Sequence, residues 1–382
     1  MTSRIVRIDF EDVMVPARPD SVNSEAFDRP LHKLSSGGVP GWSIQFDALP
    51  KTIVQLHLDN GVIGLGEFYR DAPQATLRAT ALRLLGVDVT GLNLQDLPLP
   101  PGRWYDGFEC AIADAYCKTA GIPLCMLLGG AYRTQVRCGF WTGHRTVADA
   151  VRKAREGQSH GFDCIKFKCD LSDPVVEWCA GIRDACGPAF QVILDPNERF
   201  ETLPEAASRA RQLEPIGNVL CLEDPLPRWN LAGTRSLRAR TSIPVAVHVS
   251  LPYREMGQLP QDAIAAIRED ACDYFNFNGG IWPCQRLFQL ADQHEIPYWH
   301  GSEVDLGILE AAYVHKSAAG RRATLPADIF GRLVREHDLL ATPLRIENGH
   351  AELPQGPGLG VELDQAALEH YRVSSWSTEA AS

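Results

Sequence analysis

Three short stretches, Cys164-Ile-Lys-Phe-Lys168, Gln191-Val-Ile-Leu-Asp195 and Val219-Leu-Cys-Leu-Glu223, decide the fold of this 382-residue chain. Each is an apolar run of strand length that ends on an ionisable residue. Working outward, residues 245–248, 274–278 and 296–300 repeat the pattern and end on His248, Asn278 and His300. Helical stretches at 147–159, 204–213 and 283–294 separate most of these strands, and such alternation predicts βα units and a parallel sheet. An open doubly wound sheet and a closed barrel both fit the alternation. Polar strand ends converge on one rim when a barrel closes and spread along a line when the sheet stays open, so we expect an α/β fold built on a (β/α)8 TIM-type barrel.

Ahead of the barrel, Thr52-Ile-Val-Gln-Leu-His-Leu58 and Val62-Ile-Gly-Leu-Gly-Glu67 flank Asp59-Asn-Gly61, the signature of a hairpin. Helical patterns follow at 75–85 and 104–120. The expected division is an α+β unit over residues 1–130, a barrel over 131–335 and a tail over 336–382 that returns to the front unit. In the tail, Arg345-Ile-Glu-Asn-Gly-His-Ala351 reads as a hairpin, Pro354-Gln-Gly-Pro-Gly-Leu-Gly360 as a connector, and residues 374–382 as a frayed end.

Composition narrows the function classes. The net charge is -11, and no basic stripe with interleaved aromatics offers itself to phosphates, so nucleic acid is a poor candidate partner. The 11 cysteines stand singly with no Cys-x-x-Cys pair, which reads as reduced, buried thiols. No segment approaches membrane-spanning length and the first residues lack a basic-then-apolar leader, so no membrane partner and a cytoplasmic location are expected.

Asp195, Glu223 and His248 end three successive strands, 28 and 25 residues apart, about one βα unit each. Ligands on adjacent barrel strands can meet at one point. Two carboxylates and an imidazole suit a divalent cation, with Mg²⁺ or Mn²⁺ ahead of Zn²⁺ or Fe²⁺. Singly, Asp195-Pro-Asn197 and Glu223-Asp224-Pro225 are also good turn starters, and His248 is equally a core histidine. Lys166 and Lys168 flank Phe167, so both amines share one strand face. Solvated lysines on an edge strand are the other option. Two ammonium groups near a cation should each lose proton affinity, which makes Lys168, nearer the strand end, the candidate base for a proton beside a substrate carboxylate. The metal would bind that carboxylate and stabilise the enediolate.

These residues resemble the mandelate racemase and muconate lactonising branch of the enolase superfamily. The resemblance runs through Glu109-Cys-Ala-Ile-Ala-Asp-Ala115 to Leu127-Leu-Gly-Gly130, Ile165-Lys-Phe-Lys168, Leu194-Asp-Pro-Asn197, Leu222-Glu-Asp-Pro225 and the connector from Pro354 to Gly360. It implies an α+β capping domain that shapes specificity, a (β/α)7β barrel, Mg²⁺, and α-proton abstraction from a small-molecule carboxylate, commonly in a homo-oligomer. Lys166 and Lys168 take the catalytic positions, and Asn197, Asn278 and Glu303 are carried over as substrate contacts. Two departures stand out. His248 replaces the usual acidic third ligand, and Asn278 lies near the usual catalytic Lys or Asp, where an amide cannot act as a base. His300 is then the candidate counterpart to Lys168, with core packing beside Trp299 as its alternative. Glu303 resembles an acidic residue that meets the substrate carboxylate or enediolate, or it caps the helix that follows.

Three functions follow: an isomerase (racemase, epimerase or cycloisomerase), an acid-sugar or hydroxy-acid dehydratase, and a carboxylate-binding protein with little turnover. Substrate contacts in the front unit are expected within residues 21–42, where His32, Lys33 and Trp42 are candidates beside a plain solvated loop.

Overall fold

The apolar alternation of the first strand, β1 (Ile5–Val13), buries Ile5, Ile8, Phe10 and Val13 and places it in an antiparallel sheet with the hairpin β2 (Lys51–Leu58) and β3 (Ile63–Phe68). The computed structural model describes residues 2–25, 50–69, 72–100 and 102–379, so His32, Lys33 and Trp42 lie outside the described residues. At the hairpin turn, Val62 N–H donates to Asn60 Oδ1 and Gly61 takes φ +83°, a left-handed conformation that glycine adopts without steric cost. Helices α1 (Gln74–Leu84), α2 (Tyr105–Ala120) and α3 (Leu124–Leu127) follow. A Cβ at Gly66 would fall 2.1 Å from the Gly107 carbonyl oxygen, and glycine there lets α2 lie directly on β3.

Beyond β4 (Gln135–Arg137) the βα alternation begins. Its members are β5 (Phe140–Thr142), α4 (Val147–Ser159), β6 (Cys164–Lys168), α5 (Val175–Cys186), β7 (Gln191–Asp195), α6 (Leu203–Leu213), β8 (Val219–Glu223), α7 (Leu231–Arg238), β9 (Val245–Ser250), α8 (Pro260–Arg268), β10 (Tyr274–Asn278), α9 (Ile281–Gln293), β11 (Tyr298–His300) and α10 (Gly307–Ala319). Strands β5 to β11 pair in parallel and in chain order. The irregular segment after α10 connects the two edges. Asp328 N–H donates to the His300 carbonyl at 2.9 Å, and Ala327 N–H donates to the Arg137 carbonyl at 2.8 Å. The array curls into an α/β barrel-like fold, its interior lined by one face of every strand.

The tail corrects one expectation. After α11 (Gly331–Val334), the hairpin β12 (Ile346–Glu347) and β13 (His350–Glu352) pairs with β4, and α12 (Gln365–Tyr371) leads into β14 (Arg372–Glu379). Residues 374–379 are not frayed: β14 pairs antiparallel with β1, and Trp376 stacks on Phe10 with ring centroids 3.8 Å apart. A serine-rich segment gains order here from a ladder that only the distant N-terminal strand can supply. Among the described residues no helix is long and apolar enough to cross a membrane.

Candidate active site

The parallel register assigns each strand-end residue to a face, because residues paired in register point the same way. Trp141 pairs with Lys166 and Lys166 with Ile193; His248 pairs with Asn276 and Asn276 with Trp299. The Lys166 ammonium lies 5.7 Å from the centroid of the Trp299 ring, so residues of β6 and β11 meet across the barrel interior. Phe167 points the other way and stacks on Trp178 of α5.

Lys166 and Lys168 are buried among carboxylates. Lys168 Nζ lies 2.5 Å from Asp195 Oδ2 and donates to Asn197 Oδ1 at 2.7 Å. Lys166 Nζ lies 2.6 Å from Glu223 Oε2, 2.8 Å from Asp328 Oδ2 and 3.2 Å from Asp195 Oδ2. Asn276 Nδ2 donates to Glu223 Oε1 at 2.8 Å. The structure therefore gathers Lys166, Lys168, Asp195, Asn197 and Glu223, and adds Asn276 and Asp328. Asn276 was legible as the same-face neighbour of Asn278 two residues away. Asp328 lies on a segment without a strand pattern.

These contacts set the protonation states. Burial disfavours the Lys166 ammonium, but Asp328, Glu223 and Asp195 outweigh it and raise its pKa well above the ordinary lysine value. For Lys166 this corrects the expected loss of proton affinity: a second amine counts for less than the acidic side chains around it. Burial also opposes ionisation of Asp195, yet Lys168 and Lys166 hold that carboxyl well below the usual range. Burial, then Asp195, push Glu223 up to about 8, with Lys166 opposing. Burial, with Arg228 and Lys166 nearby, holds His248 well below its ordinary value and keeps it neutral.

Asp195 and Glu223 are fully buried, and His248 Nδ1 stands 3.5 Å from Glu223 Oε1. Both ring nitrogens of His248 are buried without a hydrogen-bond partner. Three acidic side chains, those of Asp195, Glu223 and Asp328, surround the amines of Lys166 and Lys168. Orphaned imidazole nitrogens beside these acidic side chains fit a divalent cation. The three side chains do not themselves converge tightly, because Lys166 bridges Asp195 and Glu223. Among the described residues, the group whose ligand-type atoms lie within 4.8 Å of one another is His144, Asp170 and Asp173 on the loops after β5 and β6. There His144 Nδ1 and Asp173 Oδ2 are 2.6 Å apart, and Asp173 also accepts from Asp170 N–H, a loop-closing role.

The remaining expected residues lie outside this cluster. His300 pairs in register with Phe277 and shares its outward face, so it leaves the site for the sheet–helix layer. It stacks on Tyr313 at 3.9 Å, its Nδ1 contacts the Gly301 carbonyl at 2.6 Å, and its Nε2 lies 3.8 Å from Cys284 Sγ. The inward position at the end of β11 is held by Trp299, not by His300. Asn278 faces inward but meets Tyr69 of the front unit, whose hydroxyl is 3.4 Å from Asn278 Oδ1. Glu303 accepts from the Tyr253 hydroxyl at 2.5 Å. It does not cap α10, whose Leu306 and Leu309 N–H groups donate instead to Glu67 of β3.

Residues 148–367, more than half of the chain, match the family described as enolase C-terminal domain-like. The chain belongs to this family, in the mandelate racemase and muconate lactonising branch of the enolase superfamily. It is similar to muconate cycloisomerase 1 of Rhodococcus opacus, 28% identical over 91% of this chain and 97% of that one. It is also similar to D-xylonate dehydratase of Haloferax volcanii, 28% identical over 85% of this chain and 86% of the relative. The solved N-succinyl Arg/Lys racemase of Bacillus cereus superimposes with a TM-score of 0.81 at 19% identity, covering 98% of this chain and all of that one, a likeness of fold. The chain is an enzyme of this superfamily, whose members here include cycloisomerases, dehydratases and synthases.

Proposed function

We propose that this enzyme removes the α-proton of a small carboxylate substrate with Lys168 and, with no lysine, histidine or acidic residue at the inward positions of β10 and β11 among the described residues, carries out one-base chemistry of the cycloisomerase kind. One observation carries the reading: Lys168 ends β6 on the charged side of the rim, whereas the inward positions of β10 and β11 are Asn276, Asn278 and Trp299. Inverting a stereocentre needs proton transfer on both faces, so racemisation loses its counterpart once His300 points outward. A cycloisomerase can take and return the proton on one face while an internal C–O bond forms or breaks. Dehydration by Lys168, with the β-hydroxyl leaving on the same face, is the second reading, supported by the similarity to D-xylonate dehydratase. A ligand-binding protein without turnover is set aside by the family assignment.

Lys168 takes the proton, and Asn197, whose Oδ1 accepts its hydrogen bond, orients it. Lys166, held as an ammonium by three carboxylates, is a fixed positive charge rather than a second base. A divalent ion held by Asp195, Glu223 and His248, Mg²⁺ or with a histidine ligand Mn²⁺ or Zn²⁺, would supply Lewis-acid chemistry at the substrate carboxylate. Asn278, which meets Tyr69 of the front unit, and Glu303, which accepts from Tyr253 of the segment after β9, would shape the substrate's distal end. The accompanying architecture is a (β/α)7β barrel over residues 131–335, with a specificity cap from 1–130 and the tail 336–382, in a cytoplasmic homo-oligomer. The test is incubation of the metal-supplemented enzyme in D₂O with muconate, lactones and acid sugars. Deuterium incorporated with retention, or a lactone or open-chain isomer, supports the first reading and a keto acid the second. Exchange with loss of configuration overturns the one-base reading.

A further inference from the structure

Two of the three candidate metal ligands, Asp195 and Glu223, are followed by unusual backbone. Asn197 and Glu198, just after Asp195, take φ +44° and +72°, and Asp224, next to Glu223, takes φ +43°. Left-handed conformations outside glycine cost free energy and persist where surrounding contacts over-determine them. Here one side chain connects those contacts. Arg228, from the loop between β8 and α7, donates through Nη1 to Glu198 Oε1 at 2.7 Å and through Nε to Asp224 Oδ2 at 2.6 Å. The other oxygen of Asp224 accepts the backbone N–H of His248 at 2.9 Å, and Glu198 N–H donates to the Asp224 carbonyl at 2.7 Å. Glu198 and Asp224 are buried, so both ion pairs are shielded from solvent.

We propose that Arg228 is a positioning residue for the metal centre, fixing the loops after β7 and β8 and, through Asp224, the backbone of His248, so that Asp195, Glu223 and His248 keep one mutual geometry. The inference rests on the metal-centre reading above. A guanidinium suits the task because its planar fork meets two carboxylates in fixed directions, which an ammonium cannot reproduce. Outer contacts of this kind typically change metal affinity by about 10–100-fold when removed.

The test is Mn²⁺ binding by calorimetry and by the electron paramagnetic resonance spectrum of the bound ion, in the full chain. Arg228→Met is expected to weaken Mn²⁺ binding by about 10–100-fold and to broaden the bound-ion spectrum. Arg228→Lys should fall between that variant and the wild type. Glu198→Gln, which retains the Arg228–Asp224 pair, should lose less than Arg228→Met, and it carries the test with Arg228→Lys if Arg228→Met does not fold. Wild-type Mn²⁺ affinity and spectrum in Arg228→Lys and Glu198→Gln, or in a folded Arg228→Met, overturn the proposal. A wild-type enzyme that binds none of Mn²⁺, Mg²⁺ or Zn²⁺ overturns the metal reading itself, a distinct result.

Discussion

The rim of the barrel has two unlike halves. From β6 to β8 the inward residues nearest the rim are Lys166, Lys168, Asp195 and Glu223, ionisable groups that contact one another at 2.5–3.2 Å. From β9 to β11 they are His248, Asn276, Asn278 and Trp299, none of which carries a charge in this arrangement. Where ionisable groups crowd, burial and pairing split their proton affinities: Lys166 is driven up, Asp195 down and Glu223 up. The described inward strand residues of the neutral half can shape and hydrogen-bond a ligand but include no lysine or acidic base. Catalysis from one side is the chemical content of that asymmetry.

The strongest way to break it is Lys168→Ala. If proton transfer belongs to the charged half alone, α-proton exchange in D₂O falls by about 10²–10⁴-fold while divalent-metal binding persists. Exchange that survives in the variant would place the base elsewhere. Lys166→Met probes the same half differently, by leaving Asp195, Glu223 and Asp328 buried without their shared ammonium. Breaking a buried pair typically costs about 3–5 kcal/mol, to be read from urea unfolding of the metal-free protein at pH 7. A loss well below that range would mean the carboxylates are satisfied without Lys166.

Much of the charged half was legible in the sequence. β6, β7 and β8 span the residues expected from their apolar runs, because buried parallel strands are rich in apolar residues and end sharply at turn residues such as Asp195-Pro-Asn197. The neutral half was harder for a physical reason. β11 is three residues long, and alternation alone does not say which of Trp299 and His300 faces inward; that depends on its register with β10. The charge state of Lys166 depended on Asp328, which reaches the site from an irregular segment beyond Pro326. The strand β14 carries no strand pattern of its own, because its serines gain order only by pairing with β1.

The neutral half is backed by carboxyl groups of α2, which gives it its own pH signature. Glu109 accepts the N–H groups of Ile281 and Trp282 at the start of α9; burial, then Asp106, push its pKa up to about 8, while burial raises Asp106 to about 7 against the pull of Lys316. Both values exceed those of an unfolded carboxyl, near 4. Folding therefore binds these protons more tightly than the unfolded chain does. Their contribution to stability is full below about pH 4 and is lost as pH rises through about 7 to 8. The melting temperature should decline between about pH 4 and pH 8, and Glu109→Gln should flatten that decline. An equal slope in the variant would remove Glu109 as its source.

The smallest effect sharpens the comparison most. His300 ends its strand as Lys168 ends β6, yet its ring is held between Tyr313 and Phe288, in the layer between sheet and helices. Burial, with Lys316 nearby, keeps that imidazole neutral and well below its ordinary pKa. His300→Asn retains a polar group near the Gly301 carbonyl and removes any imidazole acid or base. If the outward face is what its register with Phe277 indicates, α-proton exchange should change by no more than about twofold, because acid–base catalysis worth about 10²–10⁴-fold is not being removed. Melting should still shift downward, since the smaller side chain leaves a gap beside two aromatic rings. A fall in exchange as large as that of Lys168→Ala, with folding intact, would give the neutral half a working base and restore two-sided chemistry.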